Sequence, residues 1–207
     1  MPKPTFFRLP EEKRARLLSA AWGEFTRASL SEASISRIIE AAKIPRGSFY
    51  QYFEDKDDLF FYLPESLRGD YETFMSRLLL NTGGDVFEAC LLFFDALITE
   101  EGVPAPKLAE IIRIFELNPE LDFQLMLFGD SFFSELTEFQ SLIDDAGYRK
   151  RDKDFRSGVE ELLLSAMVCA VTGVLRGTKT RDEIRASLSE KIDIIKFGAL
   201  ASGKEEP

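Results

Sequence analysis

The segment from Arg46 to Tyr52, RGSFYQY, carries a guanidinium, a hydroxyl, an amide and two phenols within two helical turns. At 100° per residue, with Phe49 placed at the inner pole, Phe53 falls almost beneath it. Gly47 and Gln51 then lie within about 20° of the outer pole, Ser48 and Tyr50 on the flanks, and Arg46 and Tyr52 lower on the sides. Two phenylalanines thus suffice to hold the helix, and no core requires the opposite face. The chemistry of that face suits the groove of a nucleic acid. An outward amide bridges N6 and N7 of adenine, the hydroxyls and Arg46 reach bases or phosphates, and a glycine lets the backbone approach closely. Lys56, just beyond, suits a phosphate contact.

The elements that must position this face are legible on either side. Ile35, Ile38, Ile39 and Ala42 recur at spacings of three and four, which predicts a helix of about two turns opening at Ser34. Ile44-Pro45 stops it, because a residue before proline is pushed out of the α region, and the second helix starts at Pro45. Pro10-Glu11-Glu12 opens an earlier helix with acids at its positive end, and Leu18, Ala21, Trp22 and Phe25 form the expected buried stripe. Met1 to Leu9 reads as a flexible arm from which Lys3 and Arg8 reach outward.

The string AKIPRGSFYQYFEDKDDL, preceded by Ser34-Ile35, resembles the N-terminal DNA-binding domain of the TetR family of bacterial transcriptional regulators. Lys43 departs from that pattern, standing where the family has a turn glycine, and so does Ile39, standing where it has alanine. Lys43 is expected either to cost some turn strain or to adopt a left-handed conformation, and Ile39 to enlarge the small core. The resemblance implies an all-α chain with a three-helix helix-turn-helix head, residues 1–55, and a larger helical body, residues 56–207, that binds an effector and dimerises. It implies DNA contacts from Ser36, Arg37, Arg46, Gly47, Ser48, Tyr50, Gln51, Tyr52 and Lys56, and a cytoplasmic repressor on a palindromic double-stranded operator.

Charge is divided accordingly. The chain has 207 residues and a net charge of −10. Residues 1–56 hold ten Lys/Arg against seven Asp/Glu, leaving sixteen against twenty-nine for the remainder. A basic head on an acidic body fits contact with DNA at one end only. Histidine is absent, and the two cysteines, Cys90 and Cys169, have no ligand spacing. Zinc sites and Ser-His-Asp or Cys-His catalysis therefore lack their parts, and no metal, cofactor or enzymatic role is expected. Adjacent acids such as Glu100-Glu101 and Glu160-Glu161 diverge on a helix and make poor dyads. The longest apolar run, Leu162 to Leu175, falls short of the roughly 20 residues that span a bilayer.

Beyond the head, Asp55 is placed to cap a helix whose stripe of Leu59, Phe60, Leu63, Leu67, Tyr71, Phe74 and Leu78 runs for six turns, with a bend or break expected near Phe60 to Leu63 because of Pro64. Further helices are expected over Asp85–Glu101, Pro104–Leu117, Pro119–Ala146, Phe155–Arg176 and from Thr180, where Thr180-Arg-Asp-Glu183 forms a capping box. Phe155–Arg176 is apolar nearly all round, so it needs cover on two sides. A second subunit supplies the outer cover, and Leu163, Met167, Val171, Val174, Leu188, Ile192 and Ile195 are the expected homodimer interface. Fourteen phenylalanines lie outside the head. Phe74, Phe94, Phe115 and Phe128, with Met167, are the candidate walls of a cavity for a small apolar effector. Two other readings remain open: a DNA-bound adaptor controlled by a protein partner, and a helical lipid carrier or enzyme that does not touch DNA.

Overall fold

A computed structural model describes residues 1–102, 105–121, 139–177 and 179–200, and its regular elements there are helical. They are α1 (Pro4–Phe7), α2 (Glu11–Phe25), α3 (Ile35–Ala42), α4 (Arg46–Tyr52), α5 (Lys56–Glu65), α6 (Arg68–Asn81), α7 (Val86–Leu97), α8 (Pro106–Leu117), a 3₁₀ turn at Phe139–Leu142, α9 (Lys153–Leu175) and α10 (Arg181–Ala199). Tyr148 and Leu200 form an isolated antiparallel bridge, and no strand occurs among the described residues. The chain divides into two compact units, Met1–Tyr71 with Pro106–Leu136, and Glu72–Ala105 with Thr137–Pro207, so that one cut falls within α6.

The first unit is built around phenylalanine. Phe6, Phe25, Phe49, Phe53 and Phe60 are wholly buried together with Leu17, Ile38 and Leu59. The core of α2 uses Leu17, Ala21, Trp22 and Phe25, while Leu18 is only half-buried, a shift of one residue from the expected stripe. Residues 1–9 are not a free arm: α1 turns Phe6 into the core, with its ring 4.9 Å from Phe53 and 5.3 Å from Tyr62. A four-residue helix has no periodicity to read, which is why the segment reads from sequence as an arm. α8 belongs to this unit as well, with Ile114 buried in the same cluster and the Lys107 ammonium 4.1 Å above the Trp22 ring.

Asp55 caps α5 as its side chain accepts from Asp58 N at 2.8 Å. The expected six-turn helix is two helices. α5 runs through Pro64 to Glu65, and Ser66 N then bonds to Tyr62 O and Leu63 O at 3.0 and 3.1 Å. The break thus falls at Ser66–Leu67, after the proline and not before it, because Leu63 O and Pro64 O are satisfied by tight turns that cannot propagate. Restarting the helix resets its rotation. Met75 and Leu79 become the buried residues of α6, and Phe74 and Leu78 are half-buried.

In the second unit, Gly83 and Gly84 end α6 with φ of 62° and 90°. A Cβ on Gly84 would stand 2.7 Å from Leu142 O, so that position requires glycine. Asp85 caps α7 and receives the Lys196 ammonium at 2.7 Å, while Asp95 pairs with Arg181 at 2.5 Å and Arg185 at 2.7 Å, fixing α10 against α7. Thr180 and Glu183 form the expected capping box. The end of the expected 119–146 helix is instead a 3₁₀ turn followed by irregular chain, and its middle lies outside the described residues. At 23 residues α9 is long and apolar enough to cross a membrane by length and composition alone, although its Val159, Leu163, Ala166, Met167, Ala170 and Val171 face the unit's own interior.

Candidate nucleic-acid interface

The presented face is made by α3, a tight turn and α4. α3 ends with Lys43 in the left-handed region, at φ 54° and ψ 47°. Its N–H bonds to Glu40 O at 3.1 Å and that of Ile44 to Ile39 O at 3.0 Å, the paired bonds of a Schellman cap. The sequence required a glycine-like turn there, and a lysine performs it at a cost of about 1 to 2 kcal/mol. Arg16 of α2 donates from Nε to Ala42 O at 2.7 Å and closes the same helix end. Pro45 then caps α4, and Phe49 and Phe53 anchor it, both fully buried with ring centroids 5.9 Å apart.

With those anchors placed, the opposite face is where the helical geometry puts it. Arg46, Gly47, Tyr50 and Gln51 are exposed, Tyr50 at 43%, while Ser48 and Tyr52 are half-buried on the sides. Tyr52 also packs against the core. Ser36 is exposed in the first turn of α3, where the helix dipole favours a phosphate.

Two of the candidate cations have structural partners. Arg37 donates from Nε and Nη2 to the buried Glu24, the closest approach being 2.6 Å, and from Nη2 to Glu32 O. Glu24 also receives Arg27 at 2.7 Å and Ser34 N at 2.7 Å. Burial alone would raise the Glu24 carboxyl, but the bonds from Arg37, Arg27 and Ser34 outweigh it and hold the group at about 2. Lys56 donates to Ser31 O at 2.7 Å and Ala33 O at 3.4 Å, bracing the loop ahead of α3. Sequence reasoning found both cations but missed Glu24, because a lone acid on an amphipathic helix gives no sign that it is turned inward.

The same loop is held from α8. Asn118, fully buried, accepts from Leu30 N at 2.7 Å and donates to Ile114 O at 2.7 Å. Nothing in the sequence connects positions 88 apart. A third support, also unforeseen, comes from the N-terminal segment: Lys3 N donates to Tyr52 O at 2.8 Å, Lys3 Nζ to Tyr50 O at 2.9 Å, and the Thr5 hydroxyl to Gln51 O.

The candidate effector residues lie in different settings. Phe94 and Met167 are buried in the second unit, where Phe74 is half-buried 5.8 Å from Phe93. Phe115 lies in the first unit, lining a small apolar cleft with Trp22, Phe60, Pro64 and Ile111. Phe128 lies outside the described residues. Of the expected dimer residues, Leu163, Met167, Val171, Leu188 and Ile192 are buried within the protomer itself, which corrects their assignment to an intersubunit face. Only Val174 and Ile195 are half-buried. That periodic stripe belongs to the chain's own core. The large apolar side chains that remain outside on these helices are Leu162, Leu175, Ile194 and Phe197.

An all-helical chain presenting such a face is a helix-turn-helix protein. Residues 17–63, which span α3, the turn and α4, match the family described as "Bacterial regulatory proteins, tetR family". It is 36% identical over 70 residues to the HTH-type transcriptional regulator HbdR of Aromatoleum sp. (strain CIB), covering 34% of this chain and 31% of that protein. To the uncharacterized HTH-type transcriptional regulator YdgC of Bacillus subtilis (strain 168) it is 32% identical over 114 residues, covering 53% and 56%. The chain thus spans from about a third to about half the length of these curated relatives. A crystal structure of a TetR family transcription regulator from Marinobacter aquaeolei VT8 shares the fold over 88% of this chain and 95% of that one, at 17% identity and a TM-score of 0.53.

Proposed function

We propose that this chain is a cytoplasmic repressor that binds a palindromic DNA operator as a homodimer and is released by a small apolar effector, with residues 1–55 reading DNA and residues 56–207 serving dimerisation and effector binding. The observation that carries the reading is the outer face of α4. Gln51 and Gly47 are exposed at its pole with Arg46 and Tyr50 beside them, and none of the four belongs to the buried core. Gln51 reads a base, Arg46, Ser48, Tyr50 and Tyr52 line the groove, and Ser36, Arg37 and Lys56 stand toward phosphates with the donors their internal bonds leave free. Leu162, Leu175, Ile194 and Phe197 support the homodimer as unpartnered apolar groups on α9 and α10. The chemistry is recognition, and no residue is assigned a catalytic role.

The test is a pair of substitutions on the full chain. Gln51→Ala is expected to cost about 1 to 3 kcal/mol on the preferred duplex and to relax preference at one base position per half-site. Lys56→Ala is expected to weaken all sequences similarly. Equal changes in sequence preference from both would contradict the assignment of roles.

A further inference from the structure

α4 has only seven residues, too few to be stable alone, and like any helix it ends in carbonyls without intrahelical partners. Phe49 O accepts from Phe53 N at 3.0 Å, which leaves the carbonyls of Tyr50, Gln51 and Tyr52. Each of these three accepts a hydrogen bond from the segment before α2. Lys3 Nζ serves Tyr50, the Thr5 hydroxyl serves Gln51 and Lys3 N serves Tyr52. Phe6, wholly buried between Phe53 and Tyr62, fixes the donor segment to the core that holds α4. The Lys3 ammonium also lies at the negative end of the helix dipole. Two of the three capped residues, Tyr50 and Gln51, carry exposed side chains on the presented face, and Tyr52 stands at its side against the core.

We infer that Lys3 and Thr5 are positioning residues for base recognition, setting the backbone of Tyr50–Tyr52 so that the Gln51 amide meets its base, with Phe6 as their anchor. The inference rests on the DNA-reading function proposed above. A bidentate amide contact needs both hydrogen bonds at good geometry at once, so a small rotation of the backbone behind Gln51 loses discrimination before it loses non-specific affinity. Neither Lys3 nor Thr5 needs to touch DNA for this.

The experiment uses the full chain and a duplex selected by it from a random-sequence library. Failure of the wild-type chain to enrich any sequence would overturn the DNA-reading function, and the inference with it. With a selected duplex in hand, Lys3→Met, Thr5→Val and the double variant are compared with wild type on that duplex and its single-base variants, over a range of salt, in wild-type and Gln51→Ala backgrounds. The double variant is expected to lose about five- to tenfold in affinity for the selected duplex, two hydrogen bonds' worth, with the loss concentrated at the base read by Gln51 and an unchanged salt slope. In the Gln51→Ala background it should lose nothing further at that base, and Thr5→Ser, which keeps the hydroxyl, should retain discrimination. Wild-type discrimination in the double variant would overturn the inference. So would a uniform loss across sequences with the salt slope reduced by about one, which would make Lys3 a phosphate contact. Loss of discrimination in Thr5→Ser as well would overturn it too, since the hydroxyl would then not be the operative group.

Discussion

Gln51, Lys43 and Glu24 show three ways in which single side chains define the presented face. Gln51 was legible because a helix pinned by Phe49 and Phe53 leaves one direction for it. Lys43 was legible as a departure, a side chain where the turn calls for glycine, and its φ of 54° is one of the two expected consequences. Lys43→Gly is therefore expected to raise stability by about 0.5 to 1 kcal/mol in urea unfolding, since glycine adopts this conformation without steric cost. Glu24 was not legible, because burial of a carboxylate depends on partners that only the tertiary fold assembles. Its folded value of about 2 lies below its ordinary 4.5, so its contribution is complete above pH 4.5 and is lost as pH falls through 2. Glu24→Gln should cost roughly 1 to 3 kcal/mol at pH 7, and the difference from wild type should shrink as pH is lowered from 4.5 toward 2. A gap independent of pH would place the loss in packing and not in charge.

The helices were largely readable, and where they were not, the reason is local. Proline 64 announced an interruption but not its position, because the break depends on which carbonyls find partners in the following turn, here Leu63 O and Pro64 O. The buried residues of α6 shifted by one position as a result. α1 escaped because four residues carry no period, and the supports of the α2–α3 loop escaped because they come from α5 and α8. Asn118 is the deepest of these, and its bond to Leu30 N joins α8 to the segment just ahead of α3. Asn118→Leu should leave the part-buried Leu30 N–H unpaired and cost about 1 to 3 kcal/mol. It should also speed amide exchange at Leu30 more than at Phe49, whose N–H lies within α4. Unchanged exchange at Leu30 would mean that the loop is held without Asn118.

Across the whole molecule, charge and apolar surface divide the work. The basic excess lies within residues 1–56 and the acidic excess beyond it, so in the function proposed here non-specific attraction to DNA is weak and recognition depends on the α4 face. The pattern of an all-round apolar helix does not reveal which of its sides the protomer itself covers. Leu188→Ala is expected to cost about 2 to 4 kcal/mol of protomer stability as a core truncation. Leu162→Lys with Phe197→Glu should instead leave the protomer folded and give a monomer in equilibrium sedimentation. If that pair sediments as a dimer, those side chains are not the interface. The central claim, that two copies of the α4 face read a palindrome, is tested most directly by sequence selection from a random duplex library followed by footprinting with the full chain. The expected result is an enriched inverted repeat whose half-sites lie about 34 to 36 Å apart or a multiple of that spacing, bound by two copies. Enrichment of no sequence, or binding that falls equally with salt on every duplex, would contradict it.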